Sequence, residues 1–535
     1  MTKFIRLGAA MAVAFAAFAQ ESWVLEKPHA WARDGQVIAL AREGEVLLVR
    51  HDGARDWSLS GIPQLSVNPG EIFELVCKVK VEASGEWSNA ETSVVLRDGV
   101  GKVNAWSYGG ASCGAPCDWT ELKTRFMVPK GVASVEPRLI GYGAGTIRGL
   151  GFALRRAGNA AELVDKDRPS RVRYSSDTLA LGGDFEAGTL DVEDGRTGRA
   201  WRMNLADSGC LVLRWDPLRR NPAGGMILTL LNPETMLEVR ATLELAGGSE
   251  MSVTVEADGE LTRPIDFPPP FETHGGERLI VPMNEGMGFP VDEDHEGLGR
   301  LIAYGGHGIC MGFFGAANDA SGAGWMCILE TPDDAAMNAR KGAGGLWTAG
   351  PSWDAQRGRF GYARRVRYVF FDKGGHVAMC KRYRAHARQM GLFKTFSEKV
   401  EKNPNIDLLI GAANIWNWDA KEKVELVAEM QAAGIDRILW SGGGSAEELK
   451  ALNALPKVLT GRYDIYQDIM DPANFEKVGY KHGDWVTEAY PHDINWAGPS
   501  ATQWRRGWKV KAKDGTMIPC AVICDSKALP YAHKR

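Results

Sequence analysis

The hydrophobic period of this chain changes once along its length, and that change constrains the fold more than any composition value. From residue 20 to about residue 375 apolar side chains recur at every second position. They form short runs such as "IFELVCKVKVEA", "ETSVVLRD", "MSVTVEA" and "RRVRYVFFD". Gly, Pro, Asn and Asp punctuate the runs, and no helical period of useful length interrupts them. After "HVAMCKRYRAHARQMGLF", which reads as a helix, the pattern becomes strand, helix, strand, helix, strand. The segments are "NIDLLIGAANIW", "AKEKVELVAEMQAAG", "IDRILWSGG", "SAEELKALNALP" and "KVLTGRYDIYQDIM". Strands alternating with helices pair in parallel through helical crossovers. The expected fold class is therefore multidomain, β followed by α/β.

The polar link "AGNAAELVDKDRPSRVRYSSD" divides the β part. Residues 20–157 are expected to form a jelly-roll-like β-sandwich. Residues 172–390 carry nine or more strands without long helices and are expected to form a larger β-supersandwich. Two loops of that block stand out. "VPMNEGMGFPVDEDHEGLG" gathers Asn284, Asp292 and further carboxylates around Gly and Pro. "KGAGGLWTAGPSWDAQRG" sets Trp347 between glycines. Asn284, Asp292 and Trp347 are candidate substrate-binding residues, Trp347 as a mobile cover over a ligand. Crowded carboxylates suit a structural calcium ion, but "DEDHE" lacks regular ligand spacing, which favours a solvated acidic turn.

Residues 395–535 form the α/β part, and each of its strands leaves the core through polar or aromatic residues. These are Asn414, Trp416 and Trp418, then Trp440 and Ser441, then Arg462, Tyr463 and Asp464. Ligand sites of parallel sheets lie at carboxyl strand ends, in barrels as in doubly wound sheets. A doubly wound sheet usually carries a Gly-rich phosphate turn after its first strand, and "NIWNWDAKEK" is not one. The first part of a (β/α)8 barrel is the favoured reading. Asn414, Trp416, Trp418, Trp440, Tyr463 and Asp464 are its ligand-facing candidates.

Several function classes fall away. The formal charge of −4 comes with no Lys/Arg block, so nucleic acid is excluded as a partner. There is no G-x-S-x-G, H-E-x-x-H or P-loop, and the histidines show no metal-ligand spacing. Nine cysteines leave at least one unpaired; Cys113 and Cys117 in "SCGAPCDW" sit close enough to staple a loop, and no metal site is expected. Eighteen tryptophans suit a flat-faced, partly polar ligand. At the start, Lys3 and Arg6 precede "LGAAMAVAFAAF" and the Ala17-Phe18-Ala19 site. Residues 1–19 thus read as a secretory signal peptide, with a secreted or periplasmic product beginning at Gln20. No later apolar run reaches the ~18 residues of a membrane span.

Two resemblances add to this reading. "GEWSNAETSVVLRD" followed by "CDWTELKTRFMVPKGVASVEPRLIGYGAGTIRGLGFAL" resembles the jelly-roll carbohydrate-binding modules appended to polysaccharide-degrading enzymes. It implies Trp87, Trp106 and Tyr142 as stacking residues, while Trp119 reads as core. The order of parts, with "VPMNEGMGFPVD", "GAANIWNW", "GRYDIYQDI" and "HGDWVTEAYP", resembles glycoside hydrolases of families 129 and 101 over residues 180–535. That implies a retaining α-N-acetylgalactosaminidase with an Asp nucleophile and a Glu acid/base, acting on oligosaccharide or glycoprotein glycans. It implies no cofactor, and makes Asp464 a binder of sugar hydroxyls. The alternative is a non-catalytic carbohydrate-binding surface protein or an inactive hydrolase fragment. A full barrel takes ~250 residues, and roughly half of that follows Pro404. The expectation is a fragment whose catalytic carboxylates lie beyond Arg535. In a rival reading "CAVIC" is the fourth strand and Asp525 the nucleophile.

Overall fold

The computed structural model describes residues 22–461 apart from 34–38, 54, 84–87, 222–223, 285, 297, 305–307 and 357. The chain divides into two compact units, Met1–Lys381 and Arg382–Arg535.

The first unit holds two antiparallel sandwiches. In the N-terminal one, one sheet runs Cys117–Met127, Glu71–Ala83, Gly145–Asn159, Val46–His51, Ala39–Glu43, with Ser22–Val24 also on Gly145–Asn159. The other runs His29–Ala32, Asp56–Ser60, Ser134–Tyr142, Asn89–Arg97, Val103–Gly114, with Leu65–Ser66 added to Ser134–Tyr142. Period two explains the packing. Phe73, Leu75, Cys77, Val79 and Val81 point inward from one strand and meet Trp57, Leu59, Val94 and Leu139 of the other sheet. Each such side chain contributes roughly 1.5–3 kcal/mol on burial.

The second sandwich is built on a nine-stranded sheet. Its order is Leu211–Pro217, Gly225–Leu231, Glu238–Leu245, Glu250–Glu256, Arg364–Phe371, Gly324–Leu329, Phe313–Asn318, Glu277–Val281, Met287–Pro290. A four-stranded meander from Arg171 to Asn204 shares one core with it. So does a three-stranded sheet of Arg300–Ile302, Ala335–Lys341 and Trp347–Trp353. Trp201, Trp325 and Trp353 fill that core from the three sheets. Arg364 is buried in it, its guanidinium 3.7 Å from the centre of the Phe360 ring and 3.9 Å from that of Tyr362. It donates to the carbonyls of Tyr362 and Asp354, and burial holds its pKa below the usual arginine range.

The two sandwiches are joined directly. The Met127 N–H donates to the Pro233 carbonyl at 2.7 Å, and Ile72, Met127 and Ala160 pack with Leu211 and Met236. Arg263 donates to the Ser107 carbonyl and pairs with Glu234 at 2.9 Å.

In the second unit the described α/β segment matches the expected alternation. Strands Ala413–Ile415, Ile438–Trp440 and Val458–Thr460 pair in parallel, with helices Lys423–Ala432 and Ala446–Ala454 as crossovers. Val427 and Leu452 of the helices meet Ile438, Trp440 and Val458. Ser445 caps the second helix in a capping box with Glu448, as "SAEE" predicts. The first strand is shorter than its apolar run suggests. Pro404–Leu409 forms a 3-10 turn, tied to the second strand by Arg437 donating to the carbonyls of Asp407 and Ile410.

Candidate functional site

At the carboxyl ends of the parallel strands the chain presents two indoles. Trp416 and Trp418 are each about half exposed, their ring centres 6.3 Å apart and their planes inclined by 57°. Beside them the Ser441 hydroxyl and the Asn414 side-chain oxygen are hydrogen-bonded at 2.8 Å. Two glycines make this packing possible. A Cβ on Gly442 would lie 2.5 Å from the Asn417 carbonyl, and one on Gly443 2.7 Å from the Trp418 ring. Gly443 also has φ +69°, which favours glycine. The "SGGG" after the second strand is therefore the seat on which the aromatics of "NIWNW" after the first can rest, and Asn414, Trp416 and Trp418 stand at the same strand end.

Trp440 is a correction. Its side chain is fully buried, and its indole N–H donates to the Gly443 carbonyl at 2.8 Å. Strand alternation is the reason. Trp440 is in register with Ile415 and Thr460 on the helix side, whereas Asn414, Leu439 and Leu459 share the other side. Trp440 is the core residue behind the site rather than a ligand contact. Tyr463, Asp464 and Asp525 lie outside the described residues, as does the signal segment 1–19.

The supersandwich loops also differ from expectation. Trp347 is no mobile cover: it opens a strand, its N–H donates to the Val291 carbonyl, and its indole N–H donates to the Glu293 carbonyl at 2.9 Å. It thus braces the acidic loop, in which Asp294 pairs with Lys341 and the His295 ring hydrogen-bonds the Pro290 carbonyl. Asn284 and Asp292 are exposed at opposite ends of the hairpin Glu277–Val281/Met287–Pro290, and the structure does not bring them together. Among the described residues no three His, Cys, Asp or Glu side chains are grouped to hold a metal.

The N-terminal sandwich offers a second aromatic surface, on the solvent face of the sheet that begins with His29–Ala32. Trp106 is exposed on one edge strand, with the Arg97 guanidinium 5.9 Å from its ring. Trp31 is exposed on the opposite edge, beside Arg33, which pairs with Asp56. Tyr142 lies on the central strand between them, opposite Asn89 and Asp56. Trp31 is the residue that sequence reading missed, although in "HAWARD" it alternates with inward alanines. Trp119, expected in the core, is exposed on an edge strand of the other sheet. Trp87 lies outside the described residues. Cys113 and Cys117, expected to staple a loop, are free thiols with their sulfurs hydrogen-bonded at 2.7 Å, and burial pushes the Cys113 thiol up to about 12.

Where this face meets the second sandwich, Glu91 and Glu234 both have raised pKa values. The main cause for each is burial; for Glu91 the neighbouring Glu234 charge adds to it, while Arg263 opposes it at Glu234.

No protein-family model matches the chain, and no curated protein matches it. Among solved structures it is similar to the α-N-acetylgalactosaminidase NagBb of Bifidobacterium bifidum in complex with GalNAc. Identity is 16% and the TM-score 0.49, over 68% of this chain and 66% of that one. The match thus spans about two thirds of that enzyme. A second similarity is to a CBM4 structure, at 10% identity and TM-score 0.20, over 26% of this chain and 95% of that one. A third is to the CBM22-1–GH10 modules of Clostridium thermocellum xylanase 10B with xylohexaose, at 14% identity and TM-score 0.20, covering 25% and 26%. None of these likenesses assigns an activity to this chain. Among the described residues no helix is long and apolar enough to cross a membrane.

Proposed function

We propose that the chain is an exported, retaining glycoside hydrolase acting on α-linked N-acetylgalactosamine or a related α-galactoside in glycans, with its α/β unit a (β/α)8-type catalytic barrel. One observation carries the reading: two exposed indoles 6.3 Å apart at the carboxyl ends of a parallel sheet. An indole face stacks on the apolar face of a pyranose ring, and the polar rim of the sugar then needs donors and acceptors. With its oxygen held by Ser441, the Asn414 amide keeps its N–H groups for a sugar oxygen. Retaining hydrolysis needs two carboxyl groups ~5–5.5 Å apart. The only carboxylate among the described strand-end residues is Asp419, four positions beyond Ile415, so the catalytic pair is sought in residues 462–535. Asp464 is proposed to bind hydroxyls and Asp525 is the nucleophile candidate to test.

The assay is turnover of an aryl α-N-acetylgalactosaminide by this chain. Turnover abolished by Asp525→Ala assigns the nucleophile. A chain that binds the sugar through Trp416 and Trp418 but never turns it over supports the second reading, a non-catalytic glycan-binding protein. The exposed aromatics on the N-terminal sandwich favour that reading independently. Export predicts that N-terminal sequencing of secreted material begins at Gln20.

A further inference from the structure

The nine-stranded sheet turns one side to the core through Trp215, Leu228, Ala241, Val255 and Val366. Its other side is charged. Arg214 stands opposite Thr229, Thr229 opposite Arg240, and Arg240 opposite Glu256. The adjoining row runs Asp216, Ile227, Thr242, Thr254 across the same four strands and on to Arg365 of a fifth. Arg168, Arg219 and Arg220 close the rim of a groove of about 880 Å³.

Six guanidinium groups therefore line this groove against two carboxylates, in a chain whose net charge is −4. Three of them are answered at close range: Arg220 by Glu244 and Arg365 by Glu330, each at 2.7 Å, and Arg168 by Asp216. Arg214 reaches no carboxylate but the already engaged Asp216, at 3.6 Å, and its Nε donates to the Thr229 hydroxyl at 3.4 Å. Among the described residues Arg219 and Arg240 have no carboxylate at ion-pair distance. Arg214, Arg219 and Arg240 thus keep donors for a ligand, and Arg214 and Arg240 stand two strand spacings apart, ~9.6 Å.

We propose that this groove binds a sulfated glycan chain. Guanidinium forks select oxyanions. The threonine hydroxyls of the floor, with Asp216 and Glu256, suit sugar hydroxyls. Among the described residues no aromatic side chain lines the groove, so a nucleobase finds no described ring to stack on. A sulfate ester offers three terminal oxygens, which fits guanidinium groups arriving from different strands, whereas a uronate has two. The proposal does not rest on the hydrolase reading and concerns a different surface.

The test is calorimetric titration of the whole chain at low salt with chondroitin sulfate oligosaccharides, with hyaluronan oligosaccharides of the same length, and with single-stranded oligothymidylate. Chondroitin sulfate is expected to bind, with affinity falling as salt rises. The double substitution R219S/R240S, at exposed and unpaired positions, is expected to weaken binding at least about tenfold. Arg171→Ser on the four-stranded sheet is expected to leave it unchanged. No binding of chondroitin sulfate, or undiminished binding by R219S/R240S, overturns the site. Equal affinity for hyaluronan overturns the assignment to sulfate, and equal affinity for oligothymidylate overturns the assignment to a glycan.

Discussion

The N-terminal sandwich and the α/β unit expose aromatic residues in opposite ways. In the sandwich Trp31 and Trp106 sit on the two outermost strands of one sheet, four strand spacings or ~19 Å apart. In the α/β unit Trp416 and Trp418 touch across 6.3 Å. The backbone is the cause. An antiparallel sheet with one face on the core leaves much of its other face to solvent, whereas helical crossovers cover a parallel sheet and leave its strand ends for ligands. A wide face suits an extended chain of sugars, and a compact pair of indoles suits one ring.

The comparison breaks most severely at Trp440. Because this indole is buried behind the strand ends, Trp440→Ala is expected to cost about 3–5 kcal/mol of stability in the α/β unit. Chemical unfolding followed by circular dichroism reads that loss. A ligand contact at the same position would instead lose affinity at unchanged stability. Replacing Trp416 and Trp418 together by Ala shows the converse. Both are half exposed, so stability should move by no more than about 0.5 kcal/mol. Binding of monosaccharide should fall about thirtyfold, since two stacking contacts of roughly 1 kcal/mol each are removed.

A smaller effect sharpens the sandwich side. Trp31→Ala and Trp106→Ala are expected to weaken binding of long oligosaccharides about fivefold each and to leave monosaccharide binding untouched. Titration with a size series of one glycan makes the distinction. If both surfaces respond equally to a single sugar, the contrast between wide face and compact pair is wrong.

The smallest expected effect is on the joint beside that face. Glu91 and Glu234 have pKa values raised chiefly by burial. Their contribution to stability is therefore full below the ordinary glutamate range and is lost as pH rises through the raised values. Glu71 and Glu74, lowered on balance by their hydrogen bonds and charged partners against burial, act oppositely and lose their contribution as pH falls. As pH rises above the ordinary glutamate range, the first unit should melt at a progressively lower temperature. Glu234→Gln should flatten that slope; a slope unchanged in the variant removes Glu234 as its source.

Much of this was legible in the sequence for a simple reason: the period of apolar residues is fixed by the backbone. Period two marked both sandwiches, and its replacement by strand–helix alternation marked the parallel sheet. Asn414, Trp416 and Trp418 were legible because polar and aromatic residues follow an apolar strand. What the pattern hides is which side a residue takes at a strand end, and that is why Trp440 read as a ligand contact. Glycines around Trp347 suggested mobility, yet two backbone and indole hydrogen bonds fix it. Pairings between distant strands are equally silent, so neither the arginine groove nor the Glu91–Glu234 neighbourhood follows from any local stretch.

The most direct test of the strand-end site is a structure of the chain with N-acetylgalactosamine bound. The expected result is a pyranose ring stacked on Trp416 or Trp418, with the Asn414 amide on one of its oxygens. A sugar found only on the N-terminal sandwich, with the two indoles bare, would contradict it.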